Sequence, residues 1–577
     1  MLRPAPAGSK IAATAAALAA VLALSACGGP PPRRQATPPS TASLLAPTLA
    51  GPAETGGSIT VGLPGATTNW NPLAATGPSG PGARVPDPVR QIVTDAVLPS
   101  AFVVGPGLTP LLDHQVVTSA AVTATDPQTV TYRINPRATW SDGVPVTAAD
   151  FAYTWQADSG RAAFRDVGGA AYTPASTAGY ADVTSVRGSD AGRTVVVTFA
   201  SPDPAWQALF SPILPAHVGR AVGFDHGFTN PVRDLVSAGP MVVQSYQPGV
   251  AVTLVRNPAW WGPASQLSTV TVDFVSDPSV AGASLLTGQL DAALLTFTPG
   301  AAKTLRATPG LSVATQTSAV YDDLILDERA GPFAQAVARR AVLLAVDRSA
   351  LAELADTHGD VGALPVGNRA FLPGEPGYRD DSSDLGQGGL ATARSLLAGA
   401  GFTLAGTTLL DPAGHPVAVR LLVAVTSPLT SLEVTSVVSA CHSLGMAVSE
   451  QVVAGASALT ALGGKGWNLA LVPEAVGTFP SSLAQIYGSG AAGNLTGYSS
   501  ATMDALLARL ASEPAGPARQ RLADQVDAQA WADAVDLPLM FEPQLWAVQS
   551  RYTGIGPAPG PDGPAWDITR WALPAGT

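Results

Sequence analysis

A strand, a tight turn and a capped helix follow one another without interruption in residues 130–155, and this stretch constrains the fold more than any other. Apolar and polar residues alternate from Val130 to Ile134, which is typical of a strand that buries one face. Asp142-Gly143 then suits a tight turn, because glycine readily adopts the positive φ that such turns require. The residues alone therefore predict a strand and a turn at the start of a structural module.

The helix of this module is predicted from its first turn. Thr147 and Asp150 have the spacing of a capping box, in which each side chain accepts a hydrogen bond from the backbone N–H of the other residue. Phe151 and Trp155 are four residues apart and therefore share one face of the helix. We expect this face to point into the core.

The stretch closely resembles the signature of the family 5 solute-binding proteins, the extracytoplasmic receptors of peptide and nickel ABC importers. In that family an aromatic strand precedes an aromatic-x-Asp-Gly-x-Pro turn and a Thr-Ala-x-Asp helix start. The matching turn here runs from Trp140 to Pro145, and the matching helix start runs from Thr147 to Asp150. Further segments repeat the order of the family, and they are residues 285–291, 333–348, 390–402 and 494–510. The resemblance extends over about residues 57–577.

The resemblance implies an α/β fold of the class II periplasmic-binding-protein type, with two lobes, a two-segment hinge and an extra subdomain inserted in lobe one. By analogy with the family, lobe one takes residues 57–98, 203–295 and 538–577, the inserted subdomain takes 99–202, and lobe two takes 296–537. The ligand would lie between the lobes, and hinge bending would close them over it.

Residues 1–27 are predicted to be a targeting segment. Arg3 and Lys10 give it a basic start, and the apolar run that ends at Leu24 is too short to span a bilayer well. Leu-Ser-Ala-Cys27 is similar to the lipobox of bacterial lipoproteins, where cleavage precedes the cysteine and its thiol is lipidated. The alternative is an ordinary secretory signal with an incidental cysteine.

Residues 28–56 are rich in Pro, Ser, Thr, Ala and Gly, and this composition predicts a disordered tether. Lipidation of Cys27 would anchor the folded body at the extracytoplasmic face of the cell membrane. Cys441 would then be the remaining thiol, and a lone thiol cannot form an internal disulfide.

Composition and motifs argue against several classes of protein. The net charge is −11 and no Lys/Arg run lies beyond the N-terminus, which argues against a nucleic-acid partner. The sequence contains no Gly-x-Ser-x-Gly, Ser-x-x-Lys, His-Glu-x-x-His or phosphate-loop motif, and its six histidines show no close ligand spacing. We therefore predict no catalytic residue, no metal site and no cofactor. Asp322 and Asp323 are adjacent on a predicted strand, and we expect a solvated pair whose side chains face opposite ways.

Peptide-binding members of the family carry an Asp in a lobe-two loop, Trp-x-x-Asp-Tyr-x-x-Pro, that pairs with the α-amino group of the peptide. Two alignments of this chain place Val476 or Gly477 where that Asp is expected, and neither is acidic. Glu474 could replace it if the loop is shifted, and Phe479 is the nearby aromatic candidate for ligand contact. The departure argues against ordinary recognition of a peptide's amino group, while backbone hydrogen bonding of an extended ligand is compatible with the sequence.

Three further candidates for ligand contact follow from the order of elements in the family. Trp70 and Asn71 lie in the loop after the first predicted strand, and the alternative for them is a surface turn ended by Pro72. Tyr498 lies in a loop that leads into a predicted amphipathic helix.

Short pieces of the chain also resemble the LpqW-type lipoproteins of actinobacteria, which share the fold and are linked to synthesis of mannosylated envelope lipids. These pieces are residues 97–102, 204–206, 213–217 and 256–263. The leading hypothesis is a monomeric, lipid-anchored solute-binding protein that delivers a peptide or peptide-like ligand to the permease and ATPase subunits of an ABC importer. The alternative is an LpqW-like non-transport lipoprotein that regulates or scaffolds mannolipid synthesis through contact with a membrane glycosyltransferase.

Overall fold

The computed structural model describes residues 53–574 apart from short gaps. The gaps are residues 66, 76–86, 106–108, 276, 296, 298–299, 360–361, 374, 376, 425–426, 454–455, 465, 477–481, 492, 514–515, 557–564 and 566. The predicted targeting segment, Cys27 and most of the predicted tether therefore lie outside the described residues. None of the helices within them is both long and apolar enough to cross a membrane.

One large mixed sheet forms the centre of the fold. The described strands are β1 Ala53–Glu54, β2 Ser58–Leu63, β3 Phe102–Gly105, β4 Thr109–Leu112, β5 Val117–Thr125, β6 Gln128–Ile134, β7 Val183–Ser189, β8 Thr194–Phe199, β9 Met241–Gln247, β10 Ala251–Arg256, β11 Thr269–Phe274, β12 Ala292–Leu295, β13 Leu311–Leu326, β14 Thr403–Ala405, β15 Thr408–Leu410, β16 Ala418–Val423, β17 Ala447–Val452, β18 Leu469–Ala475, β19 Asp536–Gln549 and β20 Leu573–Pro574. The large sheet has the order β17-β16-β18-β13-β19-β12-β2-β11-β10-β9.

Helices cover this sheet, and several begin with a side-chain cap followed by proline. They are α1 Pro88–Val97, α2 Ala148–Asp158, α3 Ala216–Val222, α4 Pro231–Asp234, α5 Pro278–Thr287, α6 Ala301–Arg306, α7 Ala336–Ala345, α8 Arg348–Gly359, α9 Leu390–Gly399, α10 Pro428–Ser443, α11 Ala456–Gly463, α12 Leu483–Tyr487, α13 Ala501–Ser512 and α14 Pro517–Asp533. Asp87, Asp277 and Ser427 cap α1, α5 and α10 by accepting from free backbone N–H groups. Proline at the next position has no N–H to leave unpaired, so both residues favour a helix start.

The signature stretch folds as its sequence predicts. Val130, Tyr132 and Ile134 of β6 are buried, and both bonds of the capping box at the start of α2 are present. Gly143 has a φ of +89° in the predicted turn. Phe151 packs in the core against the ring of Tyr132, with ring centroids 5.6 Å apart. Hydrophobic burial on one side of β6 and α2 thus fixes this module.

A separate four-stranded sheet, β5-β6-β8-β7, contains the signature strand and lies within the segment predicted as the inserted subdomain. Its buried face joins the same hydrophobic cluster as β2 and β11 of the large sheet. Near the chain ends, β1 pairs with β20, so paired backbone begins at Ala53, inside the segment predicted as a tether.

The long strands β13 and β19 cross the middle of the large sheet side by side. Residues 311–317 of β13 pair with β19 beside β12, whereas residues 320–326 also pair with β18 on the other side. The register between β13 and β19 shifts on both sides of Tyr321. β13 and β19 thus connect two groups of strands, β17-β16-β18 on one side and β12-β2-β11-β10-β9 on the other, as a two-segment hinge requires. The regular pairing between them is interrupted at Tyr321.

Candidate ligand-binding site

The loop after β2 buries both of its predicted ligand contacts. Trp70 is fully buried and packs edge-on against Tyr246, with ring centroids 5.4 Å apart. The Asn71 amide donates to the carbonyl of Phe224 at 2.9 Å and accepts from the N–H of Leu73 at 3.0 Å. These contacts hold the loop against the hydrophobic core that also contains residues of β2 and β11.

The C-terminal end of β18 carries two of the predicted residues. Glu474 is 6 % exposed and pairs through its backbone with Tyr321 of β13. Val476 is 1 % exposed, and its N–H donates to the carbonyl of Ala319 at 2.8 Å. Gly477 and Phe479 lie outside the described residues. The described part of this segment therefore presents a buried acid at 474 and an apolar side chain at 476.

Tyr498 lies in a third environment. It is almost completely buried against α13 and α14, and its hydroxyl donates to the Asp533 carboxylate at 2.5 Å. Burial, and then this hydrogen bond, raise the pKa of Tyr498. Trp70 and Asn71, the Glu474 segment and Tyr498 thus pack against different elements, and ligand contact by these residues stays a prediction.

Asp322 and Asp323 correct the prediction of a solvated pair, because each is only 1 % exposed. They do face opposite ways. Asp322 accepts from the Thr430 hydroxyl of α10 at 3.1 Å, while Asp323 points towards Asp536 and Arg369. Burial raises the pKa of both carboxyls. The prediction failed because β13 lies in the middle of the large sheet, and residues 320–326 of the strand are buried on both faces.

Arg369 is the centre of a buried charge network that the sequence did not reveal. Its guanidinium pairs with Asp527 at 3.1 Å and with Asp536, and it stacks 4.0 Å from the centre of the Trp531 ring. Tyr487 donates to the second oxygen of Asp536 at 2.7 Å. The network joins β19, α12 and α14, and its buried ion pairs between these elements fit a structural role.

Four stretches of chain line a cavity of about 240 Å³. They are residues 102–104 with Pro110, residues 178–179, several residues between 203 and 211, and Ser482. Apolar side chains, including Phe102, Val104 and Leu209, form most of the wall. Ligand pockets commonly have ~300–1,000 Å³ with apolar walls and a few polar groups. The volume of this cavity lies just below that range, so the cavity is suited to a small solute or to the end of a longer one.

Asp203 places a carboxylate in this wall. Its Oδ1 accepts from the N–H of Ala205 at 2.8 Å, and Gln128 exchanges two hydrogen bonds with its backbone, at 2.7 and 2.9 Å. Burial raises the pKa of the Asp203 carboxyl, while the Ala205 N–H and the charge of Arg519 oppose that shift. The side chain is thus held in one orientation beside the cavity.

One hydrogen bond and one electrostatic interaction join distant parts of the chain around this region. The Gln485 amide of α12 donates to the Ser176 hydroxyl at 3.0 Å. Arg519, in the first turn of α14, interacts electrostatically with Asp203. Sequence reasoning missed Asp203 and Arg519, because neither lies in a recognisable motif and their proximity arises only in the folded chain. Among the described residues, no group of three His, Cys, Asp or Glu side chains is arranged to hold a metal ion.

Comparisons with known proteins bear on this site and on the fold. Residues 113–493 match the family described as "Bacterial extracellular solute-binding proteins, family 5 Middle". The oligopeptide-binding protein OppA of Mycobacterium tuberculosis is 30 % identical over 471 residues, which cover 80 % of this chain and 77 % of OppA. The probable monoacyl phosphatidylinositol tetramannoside-binding protein LpqW of the same organism is 31 % identical over 337 residues, covering 56 % of this chain and 50 % of LpqW.

A solved structure shows the same architecture. The periplasmic EDTA-binding protein EppA superposes with a TM-score of 0.81 at 27 % identity, over 91 % of this chain and 98 % of EppA. The predicted α/β fold with two lobes is confirmed by this likeness. β13 and β19 run between the two groups of strands here, and a hinge at these strands stays a prediction.

Proposed function

The chain belongs to the bacterial extracellular solute-binding proteins of family 5, and from this premise we propose that it is the lipid-anchored receptor of an ABC importer. The family membership predicted from the signature stretch is confirmed. The proposed partners are the permease and ATPase subunits of the importer, and the proposed ligand is a peptide or a peptide-like solute. The Cys27 lipobox supports anchoring at the extracytoplasmic face of the cell membrane.

The single observation that carries this proposal is the cavity lined by residues from distant parts of the chain. Residues 203–211 and Ser482 both contribute to its wall, although the hinge strand β13 lies between them in the sequence. A solute in this cavity would touch elements that precede and elements that follow the hinge. Such a position allows binding to favour one arrangement of the lobes over another.

Native mass spectrometry of the purified folded body tests the proposal. We expect a bound small solute that leaves on denaturation, and uptake of a matching solute that falls when the gene is deleted. Ala208 lines the cavity, so Ala208→Phe should fill it and abolish solute binding, while Ala208→Ser serves as the matched control. Unchanged binding in Ala208→Phe would contradict the assignment of this cavity.

The LpqW-like role is the second candidate, because LpqW is among the relatives at 31 % identity. In this alternative the fold is kept and its surface contacts a membrane glycosyltransferase. The two functions differ in their consequences for the cell. A deletion strain with normal solute uptake and altered mannosylated lipids, together with a protein that gains no solute, would favour the second candidate.

A further inference from the structure

Three acidic side chains meet where α10 packs on the long strands β13 and β19. The Thr430 hydroxyl of α10 donates to Asp322 of β13 at 3.1 Å, which places this face of the helix against the strand. Glu433 lies three positions after Thr430, on the same face of α10, and its side chain is completely buried. Leu429 of α10 and Met540 of β19 belong to one hydrophobic cluster. Glu433 and Asp322 therefore lie in the interface between this helix and the sheet.

Glu542 of β19 adds a third carboxyl on the same side of the sheet. Tyr321 and Phe541 are direct neighbours in the ladder, and their ring centroids lie 6.1 Å apart. Side chains alternate along a strand, so the residues that follow them, Asp322 and Glu542, lie on the opposite face. We call Asp322, Glu433 and Glu542 the acid cluster. By the predicted lobe boundaries, Glu542 belongs to lobe one and the other two belong to lobe two, so the cluster joins segments of both.

No positive charge in the described part of the chain balances the acid cluster. The charges that act on its members are those of the cluster itself. The ionisable groups on the surrounding elements point elsewhere. They are Asp323 and Glu474 on the opposite face of the sheet, Arg348, which stacks on Trp531, the exposed Glu353 and Asp356 of α8, and the exposed His442 of α10.

The packed arrangement of the acid cluster is stable only while it holds a proton. Both oxygens of Glu433 and Oδ1 of Asp322 are buried and have no hydrogen-bond partner among the described residues. An ionised carboxylate can only accept hydrogen bonds, so two of them side by side repel each other, whereas a protonated carboxyl can donate to its neighbour. Protonated, the cluster therefore links α10 to β13. Ionised, it places uncompensated charge in a buried interface.

The pKa shifts within the cluster have the direction that this arrangement requires. Burial, and then the charge of Asp322, raise the pKa of Glu433, and the same two causes raise the pKa of Glu542 to about 8. Burial also raises the pKa of Asp322, although hydrogen bonds from Glu433 and Thr430 oppose this rise. A raised pKa means that the packed form holds its proton more tightly than a solvated form, so the stabilising contribution is present at acidic pH and is lost as the pH rises.

We propose that the acid cluster is a pH-sensitive switch in the contact of α10 with β13 and β19. At acidic and neutral pH the protons hold this contact together. At alkaline pH the ionised carboxyls repel one another, and α10 separates from the two strands. Glu542 retains some exposure, so it reaches water first. Because β13 and β19 are the predicted hinge, release of α10 would make the hinge easier to bend.

Hydrogen exchange of the full-length protein, followed by mass spectrometry, tests the switch at about pH 6 and about pH 9 after correction for the intrinsic exchange rate. We expect peptides from α10, β13 and β19 to lose protection on the order of tenfold for each unit of pKa difference. Peptides from β6 should lose clearly less. Glu433→Gln and Glu542→Gln should each reduce the excess loss in α10, β13 and β19. Glu353→Gln is the matched control, since Glu353 is exposed, and it should behave as the wild type does.

Three results would overturn the proposal. The first is equal loss of protection in β6 and in α10, because ionisation would then lower only the stability of the whole protein. The second is protection in α10 that does not depend on pH. The third is a loss in Glu542→Gln as large as that of the wild type, and this variant decides alone if Glu433→Gln does not fold. None of these measurements involves a solute, so their failure would leave the proposed function in place.

Discussion

Replacing Glu542 with Gln should stabilise the protein at alkaline pH and leave its stability unchanged at acidic pH. Glu542 on β19 lies close to Asp322 on β13, and Glu433 of α10 interacts with both. Burial, and then the charge of Asp322, raise the pKa of Glu542 from 4.5 to about 8. The carboxyl is therefore kept protonated in the folded protein over a range in which the unfolded chain ionises.

The direction and size of the effect follow from this difference. At pH values below 4.5 the residue is protonated in both states, and its contribution to stability is fully present. As the pH rises towards 8, the unfolded chain loses the proton and the folded protein keeps it, so the free energy of unfolding falls. Each unit of pKa difference corresponds to about 1.4 kcal/mol. Because Glu542 retains some exposure and titrates together with Asp322, we expect about 2–3 kcal/mol between about pH 5 and pH 8.

Urea unfolding followed by tryptophan fluorescence at several pH values measures this difference. Glu542→Gln should unfold at the same urea concentration as the wild type near pH 5 and at a higher concentration near pH 8. Glu353 of α8 is exposed, so Glu353→Gln is the matched control and should show no such divergence. A constant difference at all pH values would mean that burial of the Glu542 carboxyl does not perturb its ionisation, and the reasoning would be wrong.

Three further predictions concern other parts of the chain. Cys27→Ser should release the protein from membranes and remove the mass of the acyl chains; an unchanged membrane fraction with unchanged mass would reject the lipobox. Thr147→Ala removes the cap of α2 and should lower stability by about 1 kcal/mol without a direct effect on ligand binding, as measured by thermal unfolding and calorimetry. Arg369→Met should cost about 3–5 kcal/mol because Asp527 and Asp536 lose their buried partner, whereas the control Arg340→Met removes a partly exposed pair with Asp384 and should cost about 0–1 kcal/mol. Equal urea midpoints for these two variants would contradict the assignment of Arg369 as the centre of the network.

Local patterns were predictable from the sequence where neighbouring residues decide the structure. The alternation in β6, the turn at Gly143 and the capping box of Thr147 and Asp150 each depend on residues within one short stretch. The fold class followed from the same stretch, because its resemblance to a known family carries the long-range topology that local physics does not supply.

The buried acids were not predictable by the same reasoning. Alternation along β13 correctly sends Asp322 and Asp323 to opposite faces, but it says nothing of what covers each face. Thr430 of α10 covers one face, and Arg369 with Asp536 covers the other. These partners lie between about 50 and 210 positions away along the chain, so that only the folded structure distinguishes a buried pair from a solvated one.

The cavity shows the same limit for function. Asp203 stands in a Ser-Pro-Asp-Pro turn, where an acid is ordinary, so its place in the wall was not predictable from the sequence. Residues of the wall between 203 and 211 precede β13 and Ser482 follows it, so the wall forms only when the folded chain brings these segments together. A solute bound there would contact both segments, and it would therefore bind more tightly while they lie together than when they separate.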